Sequence, residues 1–298
     1  MTFFRNIKSL LYKILTGYGV YICIIFTTVL SFSAEIYIDS VNGNKYSVFN
    51  ALMSFDRDYM LRNTVFCSTE VMLKGSASWL SLFIPIVASF SFVPLMCDEY
   101  EAKAIRFEVF RSSKACYHLS RFITACFSGG LAIMLGYGLF MGIAYLLFPD
   151  ISEYESGMQE IYREMLMYQF SELSESSFTL IVVKKLTLMF MYGAVSCAPV
   201  MMLTIMVRNK YLVMCIPFFI KYAVNQTCIK LQTQATADYN NMDTELLHKV
   251  EIINPDALAR LSEYGGDKKN VLIYSIIIIV ISFAVYKVAS LRKVDSGE

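Results

Sequence analysis

Few side chains in this sequence are of a type that carries out chemistry at a catalytic or metal site. The chain has two histidines, His118 and His248, and neither belongs to an H-E-x-x-H sequence that could bind zinc. Its eight cysteines include no C-x-x-C pair, and no G-x-x-x-x-G-K-S/T loop is present to bind the phosphates of ATP. We therefore expect that the chain is not an enzyme and has no cofactor or metal of its own. His118 is expected to be a further cationic residue on the surface of the segment at residues 98–121.

Ionisable residues within apolar runs form a second set of candidates. Lys221 lies in such a run, with Asn225 one helical turn later. Because a charge at membrane depth is costly, it usually has a specific partner or function. We predict that Lys221 and Asn225 line a substrate path, where Lys221 contacts an anionic substrate or a membrane lipid. Pairing of Lys221 with an acid from a neighbouring helix is the alternative. Lys184 and Lys185 lie at the outer end of another apolar run, directly before residue 186, and are expected to reach the membrane surface.

The elements that must position these residues are membrane-spanning helices. Of the 298 residues, 56% are hydrophobic and 17% are charged, whereas about a quarter are charged in soluble domains. A net charge of +1 gives no basic surface for nucleic acid. Because a bilayer core of about 30 Å needs roughly 20 apolar residues per helix, we predict an all-α integral membrane protein of one domain. Its six predicted spans are residues 17–34, 79–97, 122–148, 186–207, 211–229 and 271–289. The fifth contains Lys221 and Pro217, so a re-entrant half-hairpin is the alternative there.

The distribution of basic residues predicts which helix ends face the cytoplasm. The two terminal segments, residues 98–121 and the turn at 208–210 carry half of the 26 lysines and arginines. Most of the acids lie in three long segments, residues 35–78, 149–185 and 230–270. By the positive-inside rule, both termini and residues 98–121 are predicted to be cytoplasmic, and the three long segments extracellular.

Two local patterns predict how particular helices are placed. Phe3, Ile7 and Leu11 recur at helical spacing among basic and polar residues, so residues 1–16 are predicted to form an amphipathic helix on the inner membrane surface. A positive flank that merely orients the first span is the alternative. Gly138 and Gly142 form a G-x-x-x-G sequence, which predicts a close helix contact of the third span within the bundle. A seam between two copies of the chain is the alternative.

The connection between the second and third spans has the most informative pattern. Three acids follow the second span within four residues, apolar residues then recur at helical spacing, and Ser112-Ser113 makes a break. We predict a short cytoplasmic amphipathic helix within residues 98–121 that a soluble partner could hold. A solvated loop that only satisfies the positive-inside rule is the alternative. The predicted coupling residues are Asp98, Glu99, Glu101, Ile105, Arg106, Phe107, Phe110 and Arg111.

This segment resembles the cytoplasmic connection of ABC-2 type exporter permeases. In that family an acidic start, a helix of the form E-x-E-x-G-T-L, a Pro or Ser break and a basic residue entering the third span form the coupling helix. Glu99 and Glu101 match the two acids, Ile105 the aliphatic position, Ser113 the break and Arg121 the basic residue. The motif covers about two dozen residues, and the family topology covers the whole chain.

The resemblance implies a function and a set of partners. The chain would be the permease subunit of an ATP-driven exporter in a bacterial plasma membrane, with ATP and Mg²⁺ bound by separate ABC ATPase subunits. A second permease copy or a paralogue would complete the complex, with Phe107 and Phe110 as apolar anchors on the ATPase. The substrate would be a peptide or a hydrophobic compound. Lys103 and Ala104 stand where the family usually has Gly and Thr. The alternatives are a non-transporting immunity or sensor protein that binds a peptide, and a secondary transporter.

Overall fold

The apolar runs form long helices in the computed structural model, which describes residues 2–39, 43–101, 114–169, 178–207, 209–236, 244–259 and 268–295. Two short strands, β1 (Glu35–Ile38) and β2 (Lys45–Ser47), pair antiparallel. The helices in chain order are α1 (Thr2–Leu15), α2 (Tyr18–Phe32), α3 (Val48–Ser54), α4 (Arg57–Met60), α5 (Ser68–Lys74), α6 (Trp79–Ser89), α7 (Val93–Glu101), α8 (Lys114–Leu147), α9 (Ser156–Gln169), α10 (Phe178–Met206), α11 (Lys210–Thr236), α12 (Thr244–Ile253) and α13 (Lys268–Asp295).

Several of these helices are long and apolar enough to cross a membrane. Within the described ranges there are five such stretches, or six if α1 and α2, which meet at a bend of 61°, count as one span. This supports the predicted class, a multi-pass α-helical membrane protein. The fifth predicted span is a continuous helix that runs through Pro217. The five stretches are Trp79–Glu99, Cys116–Glu153, Thr179–Met206, Lys210–Thr236 and Lys269–Ser290.

The second span consists of two helices, because α6 ends at Ser89 and α7 begins at Val93. Helix α2 approaches this break closely: a Cβ atom added at Gly19 would lie 2.2 Å from the carbonyl oxygen of Phe90. Since only glycine leaves room for this approach, the small residue at position 19 lets α2 pack against the break.

Helix α8 lies at the centre of the bundle and contacts α1, α2, α5 and α10. Its closest approach to α10 is made by glycines: a Cβ added at Gly130 would lie 2.6 Å from the carbonyl oxygen of Phe190, and one at Gly193 would lie 3.0 Å from Cα of Gly130. The close contact predicted for the G-x-x-x-G pair is not made within the described part of the chain. A Cβ at Gly138 would make an ordinary contact of 3.6 Å, and one at Gly142 would have no described atom within 4 Å.

The strands and the short helices between α2 and α6 form a cap at one end of the bundle. Rings of Tyr37, Phe55 and Phe66 lie 5.3 to 5.9 Å apart and join the hairpin to these helices. A salt bridge of 2.6 Å between Arg57 and Glu153 ties the cap to the segment that follows α8. We call this the cap end of the bundle, and the opposite end, where α7 finishes, the Glu99 end.

Candidate functional site

Of the residues predicted to couple the chain to a partner, the structure describes three, and these lie at the Glu99 end. Asp98, Glu99 and Glu101 belong to the last turn of α7. The other five predicted coupling residues fall outside the described residues, as does the break at Ser112-Ser113. They are Ile105, Arg106, Phe107, Phe110 and Arg111.

Glu99 joins three helices through its two carboxylate oxygens. Oε1 is 3.2 Å from the Nζ atom of Lys13 on α1, and Oε2 pairs with the guanidinium of Arg121 on α8. The Arg121 side chain is fully buried, that of Glu99 is 12% exposed and that of Lys13 is 44% exposed. The Arg121 guanidinium also lies over the ring of Tyr117, 5.0 Å from its centroid. We call Lys13, Glu99, Arg121 and Tyr117 the Glu99 cluster.

Neighbouring contacts extend the Glu99 cluster to two further helices. Asp98 forms a longer ion pair, of 3.7 Å, with Lys210 at the start of α11. His118 is buried, and its ring lies 5.3 Å from that of Tyr117 and 5.9 Å from that of Tyr286 on α13. The expectation that His118 is a surface cation is therefore wrong, since neighbouring aromatic rings cover it. Residues of five helices, α1, α7, α8, α11 and α13, thus meet in the region around Glu99.

Lys221 belongs to a second charged cluster, in which it pairs with Asp256. Its Nζ atom is 2.9 Å from Oδ1 of Asp256, and the two side chains are 8% and 3% exposed. Lys221 also donates to the Tyr192 hydroxyl and to the backbone carbonyl of Ser81. The Tyr192 hydroxyl donates to Oδ1 of Asp256 at 2.6 Å, and the Ser81 hydroxyl donates to Oδ2 at 3.0 Å. We call these four residues the Lys221 network.

The chain segment after α12 presents the acid to this network. Asp256 lies in the stretch 254–259, where its backbone N–H donates to Oδ1 of Asn254 at 2.9 Å and makes a local turn. Burial raises the pKa of Asp256, but the charge of Lys221 and the hydrogen bonds from Tyr192 and Ser81 outweigh this effect and hold the pKa below its usual range. The carboxylate is therefore charged, and it neutralises the lysine.

The partner of Lys221 is thus an acid, as the alternative interpretation of the sequence had it, but the acid comes from a connecting segment and not from a helix. Asn225 is half-buried, and its side chain forms no hydrogen bond with the described residues. Sequence reasoning missed Asp256, Tyr192 and Ser81. The one available signal was the unbalanced charge of Lys221, which requires an acid somewhere in the fold.

A second lysine holds the same connecting segment. Lys185 on α10 is fully buried and donates to the carbonyl oxygen of Ala259 at 3.0 Å. The expectation that Lys185 reaches the membrane surface is therefore wrong, whereas Lys184 is exposed. Because Lys185 and Lys221 lie on neighbouring helices, α10 and α11 together fix residues 254–259 against the bundle.

Comparisons with known proteins identify no family for the chain. No family model and no curated protein matches the chain. Among the described residues, no group of three or more histidine, cysteine or acidic side chains could hold a metal ion.

Proposed function

We propose that the chain is the membrane-spanning permease subunit of an ATP-driven exporter of the ABC-2 type. It forms the translocation path and is coupled to separate ABC ATPase subunits, which bind ATP and Mg²⁺. The observation that supports this proposal is the Glu99 cluster, because it joins three helices next to the predicted coupling segment in the sequence.

The Glu99 cluster gives a partner a way to move the bundle. A force on residues 102–113 acts on the end of α7 and the start of α8, the two helices that this segment connects. Glu99 pairs with Arg121 and Lys13, so the same force also reaches α1. Packed helices move as rigid bodies, and a displacement at one end becomes a tilt of the whole helix.

In this proposal six spans cross the plasma membrane of a bacterial cell. The Glu99 end and both termini are cytoplasmic, and the cap end is extracellular. The polarity follows the excess of lysine and arginine at residues 98–121. A second permease copy or a paralogue completes the complex, and α1 lies along the inner surface of the lipid bilayer.

The exporter proposal is tested by removing the two predicted apolar anchors, Phe107 and Phe110, and measuring whether the permease still binds its ATPase subunits. Phe107→Ala with Phe110→Ala should release the ATPase subunits from the purified complex, because buried aromatic anchors carry much of an interface's binding energy, roughly 2 kcal/mol or more each. The complex would be isolated from its native cells through a tag on the permease, and the co-purified proteins would be identified by mass spectrometry and ATPase assay.

A matched control is available at the other end of the bundle. Phe49→Ala removes an aromatic side chain that is exposed at the cap end, and it should leave ATPase association unchanged. If the Phe107 and Phe110 double variant retained its ATPase as fully as this control, or if the wild type bound none, the exporter proposal would be wrong.

Ion-coupled secondary transport is a second candidate function, favoured by the Lys221 network. Ionisable residues buried among membrane-spanning helices often relay protons or ions. The chain alone, reconstituted into vesicles with a trapped pH-sensitive dye, would then conduct protons down an imposed gradient, and Lys221→Met would abolish the flux. Absence of flux without an ATPase would leave the exporter as the supported function.

A further inference from the structure

We propose that Lys221, Tyr192 and Ser81 form a binding site for an anionic group of the transported compound, a carboxylate or a phosphate, which Asp256 occupies in this structure. The substrate class rests on the proposed transport function, whereas the anion site itself stands on the geometry of the Lys221 network.

The arrangement of donors is that of a carboxylate-binding site built by the bundle. An ammonium from α11, a phenol hydroxyl from α10 and a serine hydroxyl from α6 converge on one carboxylate. Charge-assisted hydrogen bonds of this kind are strong and specific for an anionic oxygen. The donors lie on three helices, and the acid lies on a connecting segment, so the acid can leave without any of the helices unfolding.

Withdrawal of residues 254–259 would create a demand for another anion. Lys221 is nearly fully buried, and a buried cation without a counter-charge is strongly destabilising. Lys185, the other buried lysine of this region, adds positive charge because it lies seven residues before Tyr192 on the same helix and binds the same segment. An anionic group that replaced Asp256 would restore charge balance and hold the segment away from the bundle.

An open apolar groove lies on the part of α11 that follows Lys221. It encloses about 260 Å³ between α11 and α12, and Val224 and Cys228, which line it, follow Lys221 by three and seven residues on one helical face. Ile253, also in its lining, lies three residues before Asp256. The lining is apolar, so the groove suits a compound that joins an apolar portion to its anionic group.

The first experiment asks whether an external carboxylate can take the place of Asp256. Asp256→Ala would be purified in neutral detergent, and its thermal unfolding midpoint measured in sodium acetate, sodium phosphate and sodium chloride of equal ionic strength. We expect acetate or phosphate to raise the midpoint above its value in chloride. The double variant Asp256→Ala with Lys221→Met should show no such rise, because it has no ammonium to bind.

The second experiment uses the wild type and therefore does not depend on how well that variant folds. Trp79 is the single tryptophan of the chain. Its ring lies 6.2 Å from that of Phe83, which stacks on Phe218, three residues before Lys221 on α11, so its fluorescence responds to changes beside the site. Dodecanoate and dodecyl phosphate, titrated against the protein in nanodiscs, should change the Trp79 emission, whereas dodecanol and dodecyltrimethylammonium should not. Lys221→Met should weaken the response to the anions by roughly tenfold or more.

The results separate the outcomes. A larger response to dodecanoate assigns the site to carboxylates, and a larger response to dodecyl phosphate assigns it to phosphates. Equal responses to anionic, neutral and cationic amphiphiles, together with no acetate or phosphate effect on Asp256→Ala, would overturn the anion site and leave Asp256 as a structural partner of Lys221. Neither experiment contains an ATPase, so this result would not bear on the exporter proposal, which is tested by ATPase association.

Discussion

The Glu99 cluster and the Lys221 network lie at opposite ends of the second span, and they handle buried charge differently. In the Lys221 network both charged side chains are less than a tenth exposed. In the Glu99 cluster the carboxylate is shared between a fully buried arginine and a lysine that is 44% exposed. The first is closed around its charges, and the second has one side open to solvent.

The difference indicates different roles for the two ends. A closed ion pair with several hydrogen bonds holds its segment against the bundle unless another anion replaces the acid, because breaking it leaves an unpaired buried charge. A cluster with an exposed member tolerates small displacements, since water can replace part of its interactions. The second span joins the two through the break between Ser89 and Val93, against which Gly19 of α2 packs.

The largest effect on stability is expected from Asp256→Asn. The substitution keeps the size of the side chain but leaves Lys221 buried without a counter-charge, so the free energy of unfolding should fall by about 3–5 kcal/mol. Because the pKa of Asp256 is held below its usual range, the wild-type contribution is present above that range and should be lost as the pH falls below it. Thermal unfolding in detergent micelles, followed as a function of pH, measures both effects.

The control for Asp256→Asn is Asp58→Asn, which changes an exposed aspartate of α4 and should alter stability by less than about 0.5 kcal/mol. The double variant Asp256→Asn with Lys221→Met should recover much of the loss, because no buried charge is then left unpaired. If the loss of stability in the double variant equalled the sum of the losses in the two single variants, the ion pair would not be what stabilises the Lys221 network.

A smaller loss is expected from Glu99→Gln, which removes the counter-charge of Arg121. The loss should be about 1.5–3 kcal/mol, the usual contribution of a hydrogen bond to a charged group. It should be smaller than that of Asp256→Asn because the guanidinium is more weakly hydrated than an ammonium and keeps its contact with the Tyr117 ring. Thermal unfolding of the two variants under identical conditions gives the order, and a larger loss for Glu99→Gln would contradict the comparison.

The sequence predicts the helices of this fold better than the contacts between them. Four of the six predicted spans coincide with long continuous helices, because apolar length is a local property, read residue by residue. The second predicted span is divided between α6 and α7, and the first corresponds to α2, which is long enough to cross a membrane only together with α1. The sequence also identifies Lys221 as unusual, because a charged residue within an apolar run is rare. It does not reveal Asp256 as the partner, since the two residues belong to different elements and their contact depends on how residues 254–259 fold back. The arginine of the Glu99 cluster is recognised as a basic residue entering a span, but its burial depends on Tyr117 and Glu99 in three dimensions.

The glycines show the same limit. Gly138 and Gly142 have the spacing of a close helix contact, yet close contacts are made by other glycines, among them Gly130 and Gly136 on the same helix and Gly193 on α10. Spacing within one helix identifies a small face, but which face meets a neighbour depends on the rotation of that helix in the bundle. For Lys185 likewise, position near a helix end predicts exposure, and the segment that covers it is distant in sequence.

The framework between the two clusters is tested by Gly130→Ala. The contact at Gly130 sets the separation of α8, which carries Arg121, from α10, which carries Tyr192. An added Cβ would lie 2.6 Å from the Phe190 carbonyl oxygen, so the helices must separate and stability should fall by about 1–2 kcal/mol. Gly142→Ala is the matched control on the same helix: it meets no described atom within 4 Å, and helix propensity should make it neutral or slightly stabilising. Equal losses for the two variants would contradict the contact at Gly130.

The smallest effect is expected from Lys13→Met, and it separates the open side of the Glu99 cluster from its buried side. Lys13 pairs with the same carboxylate as Arg121, but its side chain is 44% exposed, so water already screens the pair. Partly exposed ion pairs contribute about 0.2–1 kcal/mol, and salt weakens them further. Thermal unfolding of Lys13→Met should therefore differ little from that of the wild type, and the difference should shrink as sodium chloride is added.

The matched control is Lys45→Met, which removes the exposed partner of Glu35 at the cap end and should have an effect of the same size. A loss for Lys13→Met as large as that for Glu99→Gln would show that α1 is a structural part of the Glu99 cluster. The comparison between an open and a closed end of the bundle would then be wrong.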